Sequence, residues 1–196
     1  FILLAYYRNK LKNFLTECSN SEYTIIVDSD LILNNTCIEN IIKHRDYNNC
    51  SIMTGNSRCS VRSEIFSLSA NSYYDVAPFR DRFGACAPLF ADCPSLLKDD
   101  VDDWKKNAPI KVQSAFGGIA ILRTEYLQQA YWSSHGDGVE HMEFCYRLHE
   151  FGDVYILPSA KCFVTDVEVR HAYREHVHSS QREKLGIFKK YENIIC

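Results

Sequence analysis

The chain has 196 residues, with 46% hydrophobic and 24% charged residues and a formal net charge of −3. That length carries a sizeable core in one medium domain, residues 1–196, and the charge gives no ground for nucleic acid as a main partner. No apolar run approaches the roughly 18–20 residues of a membrane span, and the opening "FILLAY" is too short for one and is no signal peptide as it stands.

In chain order, residues 1–18 carry Leu4, Tyr7, Leu11, Phe14 and Leu15 at helical spacing and predict an amphipathic helix. "YTIIV" (23–27) reads as a buried strand. "TCIENIIKHRD" (36–46) reads as a helix, with Thr36 as N-cap and Glu39 completing a capping box. "CSIMTG" (50–55) is a second strand. Residues 63–90 form an irregular, aromatic-rich region with one short helix, and 95–107, polar and acidic, a short solvated helix or an insertion. "IKVQSAFGGIAILR" (110–123) gives two strands around Gly117-Gly118. Residues 124–132 and 138–152 read as helices, 153–157 and 160–169 as strands, and about 180–193 as a charged closing helix. Such alternation predicts an α/β domain with a mixed, mostly parallel sheet flanked by helices.

The nine cysteines are odd in number and include no C-x-x-C pair, which predicts reduced, buried thiols and a cytoplasmic protein. The glycosylation acceptors Asn34-Asn35-Thr36 and Asn49-Cys50-Ser51 argue the other way, toward the Golgi lumen if a signal anchor precedes this sequence.

The strand at 23–27 ends in Asp28 and Asp30, which alternation puts on one side of an extended backbone. Two carboxylates held that close repel unless something positive sits between them, and a hard divalent cation is the usual remedy. Ordinary turn chemistry is the competing explanation, since Asp favours turns. Ligands of α/β sheets bind beyond the carboxyl ends of the strands, where this pair lies.

Beside the D-x-D after its strand, four landmarks in order carry a resemblance to a known family: "YYRNKLKNFL", "SYYDVAPFRD", "SAFGGIAIL" and "GVEHMEFCYRLHEFG". Over nearly its whole length the chain resembles GT-A-fold, D-x-D-containing glycosyltransferases, in particular capsule-type mannosyltransferases and their counterparts in large DNA viruses. The resemblance implies a Rossmann-like GT-A sheet. It also implies transfer of a sugar from a nucleoside-diphosphate donor (UDP or GDP) to a carbohydrate or other hydroxyl acceptor, with Mn²⁺ or Mg²⁺. The cation stabilises the growing charge of the diphosphate leaving group.

Carried over residue by residue, the resemblance makes Asp28 and Asp30 the metal-binding pair, with Asp30 in direct coordination and Asp28 binding through water or reaching the ribose, and places Ser29 between them at the donor. Arg8 and Asn9 face the nucleotide, and Gly117 and Gly118 let the backbone approach the donor sugar, although a plain β-bulge explains glycines there as well. Asp75, Arg80, Asp81 and His141 contact the acceptor; for the first three the alternative is a surface ion-pair cluster. Glu140 is the candidate general base, with a rival role: "DGVE" puts Asp137 at an N-cap and Glu140 at the third helical position. A retaining enzyme would need no such base. His171 is the expected third metal ligand, with Asp166 as its competitor. Asp28 comes early for this fold, so the first nucleotide-binding strands are expected outside this sequence.

Two other classes remain at this point. A haloacid-dehalogenase-type phosphatase also sets D-x-D after a buried strand, but "DSDLIL" lacks the Thr or Gly expected after the second Asp. The other is a non-catalytic carbohydrate-binding or scaffold domain.

Overall fold

The computed structural model describes residues 2–18, 20–29, 31–59, 72–88, 91–133 and 139–164. Helix α1 (Ile2–Cys18) leads into β1 (Tyr23–Val27), the two-residue β2 (Leu31–Ile32), α2 (Asn35–Lys43) and β3 (Cys50–Cys59). Then come β4 (Arg80–Asp81), α3 (Lys98–Lys105), β5 (Ile110–Ser114), β6 (Ile119–Arg123), α4 (Thr124–Gln129), α5 (Glu140–Leu148) and β7 (Asp153–Val164). The strands form one seven-stranded sheet in the order β1-β6-β3-β7-β5-β4, with β2 pairing β7 beside it.

The period of two along each central strand divides the core between the two faces of this sheet. Ala120 and Leu122 of β6, Ile52 of β3 and Val154 and Ile156 of β7 join one cluster with Phe144 and Leu148 of α5. Their neighbours Ile119, Ile121, Met53, Tyr155 and Leu157 point the other way and pack with Cys37 and Ile41 of α2. The sheet is therefore sandwiched between helices, as an α/β layered domain requires.

Several expectations need correction. The sheet is mixed, but among the described pairings only β3 with β7 is parallel; β1–β6, β3–β6, β2–β7, β5–β7 and β4–β5 are antiparallel. Alternating helices and strands yield a parallel sheet only when each helix crosses between neighbouring strands. Here consecutive strands are seldom neighbours: the partner of β1 is β6, with Tyr23 opposite Arg123. Strand β1 ends the sheet order, so it is not fully buried, and Ile25 and Val27 are exposed.

Helix α1 also departs from its pattern. Leu4, Tyr7, Leu11 and Phe14 face outward, at 48%, 58%, 60% and 61% exposure, while Ala5 is buried and Arg8 and Asn9 are half-buried. Helix α2 starts one residue before Thr36: Asn34 is its N-cap, accepting from the Cys37 N–H at 2.7 Å, so this acceptor asparagine has a structural task. Helix α3 is not wholly solvated, because Asp100 and Trp104, four residues apart, share a buried face. Residues 153–164 form one strand in place of two. It runs through Pro158, whose carbonyl accepts from Asn56 at 2.7 Å, and the β3–β7 register slips between Thr54 and Asn56, since proline offers no ladder N–H.

The predicted helix at 180–193 and the strand residues beyond 164 lie outside the described residues. Cys37, Cys50, Cys86, Cys93, Cys145 and Cys162 are free thiols. No helix among the described residues is long and apolar enough to cross a membrane.

Candidate active site

The end of β1 is the starting point. Just past Val27, the N–H of Asp28 donates to the Gly118 carbonyl at 2.8 Å and prolongs the β1–β6 ladder by one rung. The Asp28 carboxylate receives Nη2 of Arg8 at 2.8 Å. Arg8 Nε lies 3.5 Å from Oε1 of Glu140, an ion pair without a hydrogen bond, and the guanidinium carbon sits 5.5 Å from the Phe116 ring centre. One helix thus supplies the cation that joins the carboxylate after β1 to the first residue of α5. Ser29 is exposed in the turn after Asp28. Asp30, Asp166 and His171 lie outside the described residues.

A third carboxylate approaches from the segment before β4. Asp75 Oδ2 accepts from the Gly117 N–H at 2.8 Å. Burial, and after it the negative charge of Asp28, push its carboxyl up to about 7, against the opposing pull of the Gly117 hydrogen bond and of Arg8. Gly117 and Gly118 form the turn that enters β6, with φ of +61° and +75°. A Cβ on Gly117 would stand 2.0 Å from the Gly55 carbonyl oxygen of β3, and one on Gly118 would stand 2.4 Å from a Leu31 methyl. Contacts within the chain therefore already require these glycines, in a turn and not in a β-bulge.

Glu140 opens α5. The N-cap of that helix is Val139, with no side-chain cap hydrogen bond, so Glu140 is the first helical residue and not the third; Asp137 lies outside the described residues. Only 2% of Glu140 is exposed, and its Oε2 has no hydrogen-bond partner among the described residues. Burial raises its pKa, offset in part by its backbone hydrogen bond and by Arg8. A buried carboxylate with one oxygen unsatisfied is costly to keep, which marks this position as more than packing.

His141 follows directly and is buried at 5% exposure. Its ring stacks on Phe116 with centres 3.7 Å apart, and its Nδ1 faces the indole Nε1 of Trp132 at 3.4 Å. Burial, then the nearby Arg8, hold its pKa well below the usual histidine value, so the ring is neutral and its 3.9 Å approach to Glu140 is no salt bridge.

The remaining expected residues are engaged elsewhere. Asn9 clasps the Trp132 peptide, with Nδ2 donating to its carbonyl at 2.6 Å and Oδ1 accepting from its N–H at 2.9 Å. Arg80 donates to the carbonyls of Ala77 and Phe79 at 3.0 and 2.6 Å. Asp81 accepts from the N–H groups of Phe83 and Ala85, both at 2.9 Å, and so organises the turn through Gly84. Neither joins an ion pair among the described residues. Of the aromatic "SYYDVAPFRD" segment, it is Asp75 that reaches the cluster.

Phe116, inside "SAFGGIAIL", and Trp132, at the end of the predicted helix 124–132, were given no role in the site by the sequence. Both look like ordinary core aromatics along the chain, and the only pointer was Trp132 being one of two tryptophans. Among the described residues no group of three or more His, Cys, Asp or Glu side chains is disposed to hold a metal ion. The chemistry of the residues present nevertheless suits a hard cation. Asp28 and Glu140 flank Arg8, and their negative charge also acts on the carboxyl of Asp75, so among the described residues hard oxygen donors outnumber the cation they pair with, the charge balance that a dication relieves.

No protein-family model matches this sequence, and no curated protein does either. Among solved structures, the chain is similar to GalNAc-T7 crystallised with UDP, GalNAc and Mn²⁺, with a TM-score of 0.50 and 12% identity, over 82% of this chain and 30% of that one. A looser overlap, with a TM-score of 0.43 and 14% identity, is with residues 1–349 of S. aureus TarS, over 93% of this chain and 51% of that one. The chain thus spans about 30% of the length of GalNAc-T7. At this identity the likeness speaks for architecture alone, and the architecture is a GT-A-like mixed α/β fold.

Proposed function

We propose that this chain transfers a sugar, of the hexose or deoxyhexose class, from a UDP- or GDP-sugar to a hydroxyl group of a glycan, with the help of Mn²⁺ or Mg²⁺. The observation that carries this reading is the pairing of Asp28 and Glu140 with Arg8, with Asp75 held beside them by the Gly117 N–H, at the end of β1 in a GT-A-like fold.

Asp28, with Asp30 and His171, would hold the cation, and a bound cation supplies Lewis-acid stabilisation of the diphosphate leaving group. Arg8 holds Asp28 through a charge-assisted bond of 2.8 Å and favours the charged form of Glu140 beside it, so it orients the two acids. Glu140 takes the proton of the acceptor hydroxyl. Its burial raises its pKa toward the working range of a general base. Asp75 and His141 border the acceptor side, and Gly117 fixes Asp75 through its N–H.

Calorimetry with UDP- and GDP-sugars, with Mn²⁺ and then with EDTA, tests the donor half of the proposal. Binding should depend on the cation, and Asp30→Ala should abolish that dependence while the melting temperature stays near the parent's. Equal affinity with and without EDTA would refute it.

A further inference from the structure

Trp132 has no charge and no expected contact with a substrate, yet both its backbone and its side chain are tied to the site. Asn9, the neighbour of Arg8 on α1, clasps its peptide from both ends. Its indole lies flat on Phe144 of α5, with centres 4.0 Å apart and planes at 6°. Its Nε1–H points to Nδ1 of His141 at 3.4 Å.

An indole nitrogen only donates, so Nδ1 of His141 presents its lone pair there. The ring is neutral. A neutral imidazole with its lone pair at Nδ1 carries its hydrogen on Nε2. That Nε2 is buried, has no hydrogen-bond partner among the described residues, and lies 3.9 Å from Oε1 of Glu140. The distance exceeds a hydrogen bond, so the donor stands beside the carboxylate unspent.

We propose that Trp132 is a positioning residue: by locking His141 with its hydrogen on Nε2, it sets a donor next to the acceptor oxygens of Glu140, and the two together orient one hydroxyl of the acceptor. The proton balance follows from this lock. The only lone pair of His141 is occupied by Trp132, so the ring cannot take the hydroxyl proton, and the proton goes to Glu140. This rests on the reading of Glu140 as the base. Phe116, stacked on the imidazole at 3.7 Å, keeps the ring plane fixed.

The test uses ¹⁵N-histidine NMR on the full chain, with the His141 signal assigned by its loss in His141→Asn. The parent should show a protonated Nε2 and an unprotonated Nδ1 at neutral pH. Trp132→Phe keeps an aromatic ring against Phe144 but removes the N–H. It should leave the chain folded, with a melting temperature lowered by the smaller ring and the unpaired Nδ1, collapse the fixed tautomer into an average, and lower kcat by roughly 10–100-fold with KM for the donor little changed, the scale known for outer-shell partners of metal-binding histidines.

A parent ring protonated at Nδ1, or doubly protonated, overturns the lock without any variant being needed. So does an unchanged pattern in folded Trp132→Phe. A changed pattern with parental kcat overturns the positioning role. If the parent turns over no nucleotide sugar, the assignment of Glu140 fails and the positioning role with it, while the parent's ring pattern still decides the lock.

Discussion

Replacing Glu140 with Gln separates catalysis from stability, because the two should move in opposite directions. The side chain is 2% exposed, with Oε1 3.5 Å from Arg8 and Oε2 unpartnered. Glutamine keeps the shape but cannot accept a proton at neutral pH. Loss of a positioned general base lowers turnover by roughly 10²–10⁴-fold, which corresponds to about 2.7–5.4 kcal/mol of transition-state stabilisation at about 1.36 kcal/mol per decade. The fold should survive, since Arg8 keeps its 2.8 Å bond to Asp28. The sign for stability is fixed by the raised pKa of Glu140: a carboxyl raised in the folded state favours folding below its ordinary value and loses that contribution as pH rises through the folded one. At neutral pH the variant should therefore be at least as stable as the parent. The assay is release of nucleoside diphosphate from whichever donor calorimetry identifies, read beside thermal melts of both proteins at one pH. A variant with more than half the parental turnover would refute the role of Glu140. A variant that loses turnover and melts well below the parent would refute the claim that this carboxylate is kept at the expense of stability. A capping role offers no escape from these outcomes, because α5 is capped at Val139 without a side chain.

Asp75, pushed up to about 7 from an ordinary value of 3.8, favours the folded state below the ordinary value and loses that contribution as pH rises toward 7. Melting curves from pH 4 to 8 should thus fall less steeply for Asp75→Asn than for the parent, and parallel curves would count against the cluster of Asp28, Asp75 and Glu140. Gly117→Ala forces a methyl to within 2.0 Å of the Gly55 carbonyl oxygen at a φ of +61°. Left-handed backbone and overpacking together should cost about 2–5 kcal/mol, read as a lowered denaturant midpoint. A loss below about 1 kcal/mol would show that β3 yields at that point.

The elements were largely legible along the chain, because helix and strand periods and turn residues act locally. "YTIIV", "CSIMTG" and the two strands around Gly117-Gly118 stand where their patterns put them. The bounds that moved did so for nonlocal reasons. Helix α4 stops at Gln129, and the Trp132 peptide beyond it is taken by Asn9, more than a hundred residues earlier in the chain. The direction of strand pairing was not legible, since it depends on which strands become neighbours.

The candidate site divides in the same way. Asp28 stood out from the residues themselves, as a carboxylate at a strand end, whereas Arg8, Asp75 and Glu140 were marked through the motifs that carry the resemblance. That Arg8 serves two carboxylates and that the Trp132 indole meets a buried histidine were decided only by tertiary structure, whereas Asp81 is taken by N–H groups two and four residues on, within its own turn. The role of a polar group depends on the partner brought within about 3 Å of it, and partners as distant along the chain as Arg8 is from Asp28 and Glu140 meet only when the sheet has set its strand order and the helices have closed over its faces.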